Sequence, residues 1–327
     1  MVNTRAIADQ RTMEEFFRRH LELFPEATEL VSLVINPHDE NLVFDDTAVI
    51  VEYKLKLKKT DGSIFNLVLR GSADAANKRL KHYQVITALR QLGFDQGPHQ
   101  VAKPVGYFPE FHLLLYENVA GQSLYDKFQW ADEQEWKQRI GEAIDWLVKF
   151  HSSKIKQLKE VKIDEKEETK RFQRLVADLV KKYPSHQKAI ERVAQKIKRD
   201  EQQLLDRSLF RLVHGDFQPD NIIFTDFPPT TVVIDFNDAM LYDELYDLAT
   251  FTTQVQIMLQ KLHKGSKTAN EQLISQLANR YFRLRGLTLD KNVEQKLKLF
   301  QTKTLLHIKA VSDHDIAKQI LYEIENY

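Results

Sequence analysis

The stretch of sequence that decides the fold is LVHGDFQPDNIIF at residues 212–224, in which a polar loop separates two apolar segments. Asp216 and Asn221 stand five residues apart in this loop, and a strand-like apolar segment follows at once. A further apolar segment, VVIDF at residues 232–236, ends in a second acid, Asp235. We therefore predict two neighbouring strands that bring these three polar side chains to one small volume.

Side chains of these types suit phosphoryl transfer. The reaction needs a positioned acceptor hydroxyl and cations that neutralise the phosphate oxygens, with little covalent help from the protein. A carboxylate beside the hydroxyl orients it and takes its proton. Mg²⁺ prefers oxygen ligands and keeps several waters, so one carboxylate and one amide oxygen are enough to hold it. Taken alone, Asp216 would rather indicate a turn or cap acid, but the complete loop between two strands favours catalysis.

The loop and the second acid together resemble the aminoglycoside phosphotransferase and choline kinase superfamily, and more distantly the protein kinases. The residues that carry the resemblance are His214-Gly215-Asp216 through Asn221, and then Ile234-Asp235-Phe236. The resemblance implies that Asp216 is the catalytic acid/base and that Asn221 and Asp235 hold Mg²⁺. It also implies that His214 braces the loop, that ATP or GTP is the phosphate donor, and that a small-molecule hydroxyl is the acceptor.

Two flanking segments extend the resemblance. Upstream, LLLYENVAG at residues 113–121 resembles the hinge between two lobes. The resemblance implies that the C=O of Glu117 and the N–H of Val119 bind the adenine edge, although the segment also reads as a buried strand that leads into a turn. Downstream, Asp247 opens a helix, and the resemblance implies that its carboxylate braces the catalytic loop through backbone amides.

Three further polar residues have a structural interpretation. His151 is predicted to be a satisfied packing histidine at the end of a helix. Asp238 and Asp243 are predicted to be ordinary loop acids, with an approach to the metal or to the acceptor as the alternative.

The N-terminal third reads mostly as sheet with one internal helix. Residues 48–57 predict a strand whose second half alternates as in a sheet with one wet face, and Thr60-Asp61-Gly62-Ser63 predicts a hairpin turn. The returning strand ends at Arg70, which the resemblance makes the candidate ligand of the α- and β-phosphates, an exposed strand-end arginine being the alternative. Residues 75–92 have helical spacing.

The expected phosphate-binding elements depart from the protein-kinase pattern. Gly62 is the first glycine of the chain, so the loops Asn36 to Asn41 and Phe44 to Thr47 contain none. The helix position where a glutamate would pair with Arg70 offers His82 or Gln84 instead. These departures motivate an alternative function, a non-catalytic nucleotide-binding pseudokinase or scaffold.

The order of predicted elements indicates an α+β, two-lobed, protein-kinase-like fold. A small β-rich N-lobe over residues 1–116 would bind the nucleotide with an antiparallel sheet and one helix. A large, mainly α-helical C-lobe over residues 117–327 would carry the hinge, the catalytic loop and the substrate-binding helices. Only short sequence separates Asp235 from Asp247, too little for the peptide-binding segment of a protein kinase proper.

Composition narrows the class of partner. Lys plus Arg and Asp plus Glu both number 47, so the basic excess typical of a nucleic-acid binder is missing. The chain has no cysteine, which excludes disulfides and thiolate metal sites. No segment approaches the ~20 apolar residues of a membrane span, so we expect a cytoplasmic protein without a membrane partner. The acceptor, the choice of ATP or GTP and the oligomeric state are not readable from the sequence.

Overall fold

The computed structural model describes residues 2–37, 48–154, 165–262 and 264–311. The chain forms two compact units, Met1–Gly121 with Thr225–Asn237, and Gln122–Phe224 with Asp238–Tyr327. The first is rich in strands and the second is mainly helical, which confirms the predicted α+β class. The lobe boundary expected after Tyr116 stays a prediction.

The strands follow one another in the order β1 Ala27–Pro37, β2 Ala48–Lys59, β3 Ile64–Asp74, β4 His99–Val101, β5 Pro104–Phe108, β6 Leu113–Glu117, β7 Gln122–Ser123, β8 Arg211–Val213, β9 Ile222–Asp226, β10 Pro229–Val233 and β11 Met240–Tyr242. The α-helices are α1 Gln10–Arg19, α2 Lys78–Leu89, α3 Leu124–Trp130, α4 Glu133–Ser152, α5 Glu165–Lys182, α6 Gln187–Leu204, α7 Leu245–Lys261, α8 Lys267–Arg285 and α9 Lys291–Val311.

The first unit is built on an antiparallel sheet with the strand order β1-β2-β3-β6-β5. The predicted hairpin between β2 and β3 is confirmed: Gly62 has a φ of +85°, and its N–H donates to the C=O of Lys59. Every second residue of β2 is buried, as expected of a strand with one wet face. Helix α1 covers the buried face, where the ring of Phe17 lies 5.2 Å from that of Tyr53. In the same unit, β4 pairs in parallel with β10.

Helix α2 is shorter than its sequence pattern indicates. The helical spacing covers residues 75–92, but Asn77 has a φ of +60° and α2 begins only at Lys78. The carboxylate of Asp74 accepts the N–H groups of Lys78 and Arg79, so an acid outside the pattern sets the start of the helix. A π-helical turn with a left-handed Gly93 follows α2.

The second unit packs its helices around the loop at residues 214–221. Trp146 of α4 and Phe251 of α7 are fully buried, and both rings contact that of Phe217, at 5.6 Å and 5.3 Å between centroids. One aromatic side chain thus anchors the loop in the core of the unit. Among the residues described, no helix has the length and apolar character needed to cross a membrane.

Candidate active site

One buried carboxylate fixes the start of the catalytic loop. Asp247 lies in the first turn of α7 and has no solvent exposure. Its carboxylate accepts the backbone N–H groups of His214 and Gly215, at 2.7 Å and 3.0 Å, and lies 3.1 Å from Nε2 of His151. The brace predicted for Asp247 is confirmed, and because the acceptors are all carboxylate oxygens, these bonds are of the stronger kind.

A chain of buried side chains supports Asp247. Nδ1 of His151 lies 2.7 Å from the hydroxyl of Tyr281, and this hydroxyl donates to Glu244 at 3.0 Å. Burial, and then the charge of Glu244, raises the pKa of Tyr281, so its phenol stays protonated and can donate. Arg285 pairs with Glu244 at the outer end of the chain. The packing role predicted for His151 is therefore confirmed.

The position before Asp216 requires glycine. Gly215 has a φ of +82°, and a Cβ atom added there would lie 2.2 Å from the backbone oxygen of Asp238. No side chain fits so close to a backbone carbonyl. His214 is buried, and its Nδ1 accepts the N–H of Asp216 at 3.3 Å. These contacts set the direction in which Asp216 leaves the core.

Asp216 is partly exposed, and two amides orient its carboxylate. Nε2 of Gln218 and Nδ2 of Asn221 each donate to its Oδ2 at 3.1 Å. Gln254 of α7 in turn donates to the side-chain oxygen of Gln218. Gln218 stands in the loop quoted above, where only its place two residues after Asp216 hints at a role. Gln254 carries no signal in the sequence, because it lies one helix away.

Asn221 has the chemistry of a cation ligand. Its Nδ2 donates both to the backbone oxygen of Asp216 at 2.9 Å and to the Asp216 carboxylate. The amide oxygen Oδ1 is therefore the atom that can act as a ligand. The structure brings Asp216 and Asn221 together in the second unit, as the spacing predicts.

Asp235 belongs to the first unit. Strand β10 ends at Val233, and Asp235 is the second residue after that end. Its φ of +64° is unusual for a residue other than glycine. Nδ2 of Asn237 donates to its carboxylate, a contact that no pattern in the sequence indicates. Burial first, and then the charge of Asp235, raises the pKa of Tyr116 to about 12, so this neighbouring phenol is neutral.

Two side chains, one in each unit, carry oxygen atoms of the type that Mg²⁺ binds. Among the residues that the structure describes, no group of three or more His, Cys, Asp and Glu side chains could hold a metal. Mg²⁺ does not need such a group, because it keeps several waters and takes one or two carboxylates. One amide oxygen from Asn221 and one carboxylate from Asp235 are ligands of the type this ion prefers.

Arg70 lies inside β3, which continues to Asp74, so the strand end predicted at Arg70 is wrong. Partners from the sheet hold its side chain. Its Nε donates to Oδ1 of Asn118 at 3.0 Å, and its guanidinium lies 3.4 Å from the carboxylate of Glu52. Glu52 is the residue opposite Arg70 in the β2–β3 ladder. An acid on the adjacent strand thus pairs with Arg70, a partner that the sequence interpretation missed. His82 is buried in α2, with its ring 6.4 Å from that of Tyr116.

The backbone at the predicted hinge is part of the sheet. The N–H of Glu117 donates to the C=O of Lys103, and that of Asn118 donates to the C=O of Val68. The Glu117 carboxylate pairs with the Lys103 ammonium at 2.6 Å. The roles of the Glu117 C=O and the Val119 N–H in adenine binding stay predictions. Residues 38–47, which include most of the two glycine-free loops, lie outside the described residues.

Known proteins resemble this chain in sequence pattern and in fold. The model of the phosphotransferase enzyme family matches residues 54–286. Comparison with curated protein sequences gives no match. An amicoumacin kinase in complex with AMP-PNP, Ca²⁺ and Ami is similar in structure, with a TM-score of 0.60, 14% identity, and coverage of 97% of this chain and 96% of that chain.

Two further solved structures have the same fold. An ethanolamine kinase of Plasmodium vivax has a TM-score of 0.58 and 15% identity, over 97% of this chain and 88% of that chain. An ADP-bound aminoglycoside phosphotransferase has a TM-score of 0.55 and 13% identity, over 97% of both chains. At these identities the likeness shows the fold alone, and it confirms the predicted protein-kinase-like fold.

Proposed function

The chain belongs to the phosphotransferase enzyme family, and from this premise we propose that it moves the γ-phosphate of ATP or GTP to a hydroxyl of a small molecule. The observation that carries the proposal is the carboxylate of Asp216. Asp216 is partly exposed, and the amides of Gln218 and Asn221 orient its carboxylate. Asp247 accepts hydrogen bonds from the backbone of the same loop. A base held in this way is positioned before substrate arrives, which lowers the entropic cost of the reaction.

In the proposed mechanism Asp216 orients the acceptor hydroxyl and takes its proton as the oxygen attacks the γ-phosphorus. Asn221 and Asp235 would hold Mg²⁺, which when bound would neutralise charge on the phosphate oxygens. The amides of Gln218 and Asn221 keep the carboxylate turned toward the acceptor during this step. His214 would brace the loop and take no part in proton transfer, since it is fully buried and its Nδ1 accepts the backbone N–H of Asp216.

The first unit would bind the nucleotide. We propose that Arg70 contacts the α- and β-phosphates, because its guanidinium is held by Glu52 and Asn118 and offers donors to anions. The C=O of Glu117 and the N–H of Val119 would bind the adenine edge. Similar solved structures contain ADP, AMP-PNP and ATP, which supports a nucleoside triphosphate as the donor. We also propose that the chain acts in the cytoplasm.

An acceptor panel tests the proposal. The full chain is incubated with MgATP or MgGTP and with aminoglycosides, choline, ethanolamine, sugars or homoserine, and release of the nucleoside diphosphate is followed. We expect release that depends on at least one acceptor and stops when EDTA removes Mg²⁺. A rate of nucleoside diphosphate release that is the same with and without every acceptor, and is unchanged by EDTA, would contradict the proposal.

A non-catalytic pseudokinase or scaffold remains the second candidate, because no glycine precedes Gly62 in the sequence. Titration calorimetry with MgATP and MgGTP separates the candidates. Binding together with acceptor-dependent turnover supports the kinase. Binding without turnover of any acceptor supports the pseudokinase, and no binding of either nucleotide at millimolar concentration supports the scaffold.

A further inference from the structure

One face of helix α7 follows the catalytic loop. Asp247, Phe251 and Gln254 stand at positions i, i+4 and i+7, which lie on one side of an α-helix. Asp247 accepts two backbone N–H groups at the start of the loop. Phe251 packs against the aromatic ring of Phe217, and Gln254 donates to the side chain of Gln218. Successive residues of the loop thus meet successive turns of the same helix.

The proposed base lies inside this set of contacts. The loop residues that contact α7 are 214–215 and 217–218, immediately before and after Asp216. Asp247 holds the main chain, whereas Gln254 holds the side chain of Gln218, which in turn donates to the Asp216 carboxylate. The effect of Gln254 therefore falls on the reacting group itself.

Gln254 determines which end of the Gln218 amide faces Asp216. A side-chain amide has nearly the same shape when it is turned over, but one end donates hydrogen bonds and the other accepts them. Oε1 of Gln218 accepts from Nε2 of Gln254 at 3.3 Å, and Nε2 of Gln218 donates to Oδ2 of Asp216 at 3.1 Å. If this amide turned over, its oxygen would meet the carboxylate oxygen and its NH2 group would meet the donor of Gln254. Both hydrogen bonds would then be lost together.

We propose that Gln254 is a positioning residue of the transfer reaction and that it acts on the carboxylate of Asp216 through a relay, the side chain of Gln218. This inference rests on the proposed phosphotransferase function, because the orientation of Asp216 matters to that reaction. With the donor of Gln254 in place, the NH2 group of Gln218 faces Asp216, and the carboxylate keeps one orientation before the acceptor binds. A base that is already oriented loses less freedom on the way to the transition state.

Gln254→Met tests the role by removing the donor at a similar side-chain volume. The transfer rate is measured with MgATP or MgGTP and the compound of the acceptor panel that the wild type phosphorylates fastest. We expect kcat to fall about fivefold, as the loss of one neutral hydrogen bond predicts, and the KM for the nucleotide to stay within about twofold. An unchanged kcat, with or without a change in this KM, would overturn the inference.

Gln254→Glu and Gln256→Glu form a matched pair. Both positions are partly buried in α7, but residues two apart do not share a face of a helix. A carboxylate at position 254 cannot donate to the oxygen of Gln218, and it competes with Asp216 for the NH2 group of Gln218. We expect kcat to fall about thirtyfold for Gln254→Glu and less than about threefold for Gln256→Glu. Equal losses would show an effect of added charge and would contradict the inference.

A double-variant cycle shows whether Gln254 acts through Gln218. Gln218→Met should lower kcat about tenfold, and Gln254→Met added to it should lower kcat by less than about twofold more, because the relay is already broken. A purely structural role of Gln254 in α7 would give the same factor in both backgrounds. A full fivefold loss in the Gln218→Met background, flagged by a ratio of about five between the two variants, would therefore overturn the relay. Thermal unfolding confirms that each variant is folded.

NMR signals separate this inference from the proposed function, because they need no turnover. The side-chain nitrogen of Gln218 and the carboxyl carbon of Asp216 are identified in the labelled full chain by their loss in Gln218→Met and Asp216→Asn. Both signals should move in Gln254→Met and stay in place in Gln256→Met. If the wild type phosphorylates no acceptor but both signals move, the proposed function fails and the relay stands. If the Asp216 signal stays in place in Gln254→Met, the relay fails whether or not the wild type transfers phosphate.

Discussion

The catalytic loop of the second unit and the part of β3 that carries Arg70 in the first unit are held by different kinds of contact. In the loop, one fully buried carboxylate captures two backbone N–H groups, so the conformation of the main chain depends on Asp247. At Arg70 in β3, the sheet fixes the main chain, and Glu52 and Asn118 only orient the side chain, which is 25% exposed.

This difference determines where folding stability and activity depend on the same contacts. A backbone N–H that loses its only partner in the core has a large cost, so changes at the loop should weaken folding and catalysis together. A partly exposed ion pair contributes little to folding. Changes at Arg70 should therefore alter nucleotide binding in a protein that remains as stable as before.

Asp247→Ala should have the largest effect on stability. It leaves the N–H groups of His214 and Gly215 buried without the acceptor that holds them, and we expect a loss of about 3 kcal/mol in the free energy of unfolding. Denaturant titration measures this loss. The control is Asp178→Ala, an exposed acid of α5, for which we expect a change within about 0.5 kcal/mol. Equal effects of the two substitutions would refute the brace.

Gly215→Ala should destabilise by about 2 kcal/mol or more, because the added Cβ would meet the oxygen of Asp238 in addition to the unfavourable φ. Gly286→Ala separates the two causes. Gly286 also has a positive φ, +64°, but nothing lies within 4 Å of its Cβ position, and we expect a loss of only ~1 kcal/mol. If both variants unfold at the same denaturant concentration, the close contact at Gly215 has no energetic weight.

Arg70→Gln should weaken nucleotide binding with little effect on stability. We expect the KM for the nucleotide to rise about tenfold, because a charged donor to phosphate is lost, while the free energy of unfolding changes by less than about 1 kcal/mol. Lys58→Gln, an exposed cation on β2, serves as the control and should leave the KM unchanged. A large loss of stability in Arg70→Gln would remove the distinction drawn between the two regions.

Glu52→Gln should have the smallest effect, a two- to threefold rise in the nucleotide KM at about neutral pH. Burial would raise the pKa of Glu52, but the hydrogen bond of Asn36 and the charges of Arg70 and Lys54 lower it overall. The carboxylate is therefore ionised through neutral pH, and its support of Arg70 is lost only as the pH falls below the ordinary glutamate range. A KM profile against pH should show the two proteins converging at acidic pH, and parallel profiles would contradict this interpretation.

The two regions also differ in how far the sequence predicts them. Asp216 and Asn221 belong to one short loop between apolar strands, and their spacing alone brings them together. The pair of Arg70 with Glu52 depends on the register of β2 against β3, which a hydrophobic pattern does not specify without the turn geometry. Gln254, Asn237 and the parallel ladder of β4 with β10 depend on tertiary contacts that no local pattern encodes.

The start of α2 shows the same limit at the level of secondary structure. The helical period covers three residues more on the N-terminal side, but the carboxylate of Asp74 captures the N–H groups of Lys78 and Arg79 and the helix begins there. Periodicity identifies which residues face the core, whereas caps and left-handed residues decide where an element begins.

The central claim is that Asp216 takes the proton of an acceptor hydroxyl during phosphoryl transfer. Its most direct test compares wild type, Asp216→Asn and Asp220→Asn, an acid of the same loop, for γ-phosphate transfer from labelled MgATP and for MgATP affinity. We expect Asp216→Asn to bind the nucleotide normally and to lose about a thousandfold in transfer rate, while Asp220→Asn keeps both. Transfer at the wild-type rate by folded Asp216→Asn would contradict the claim.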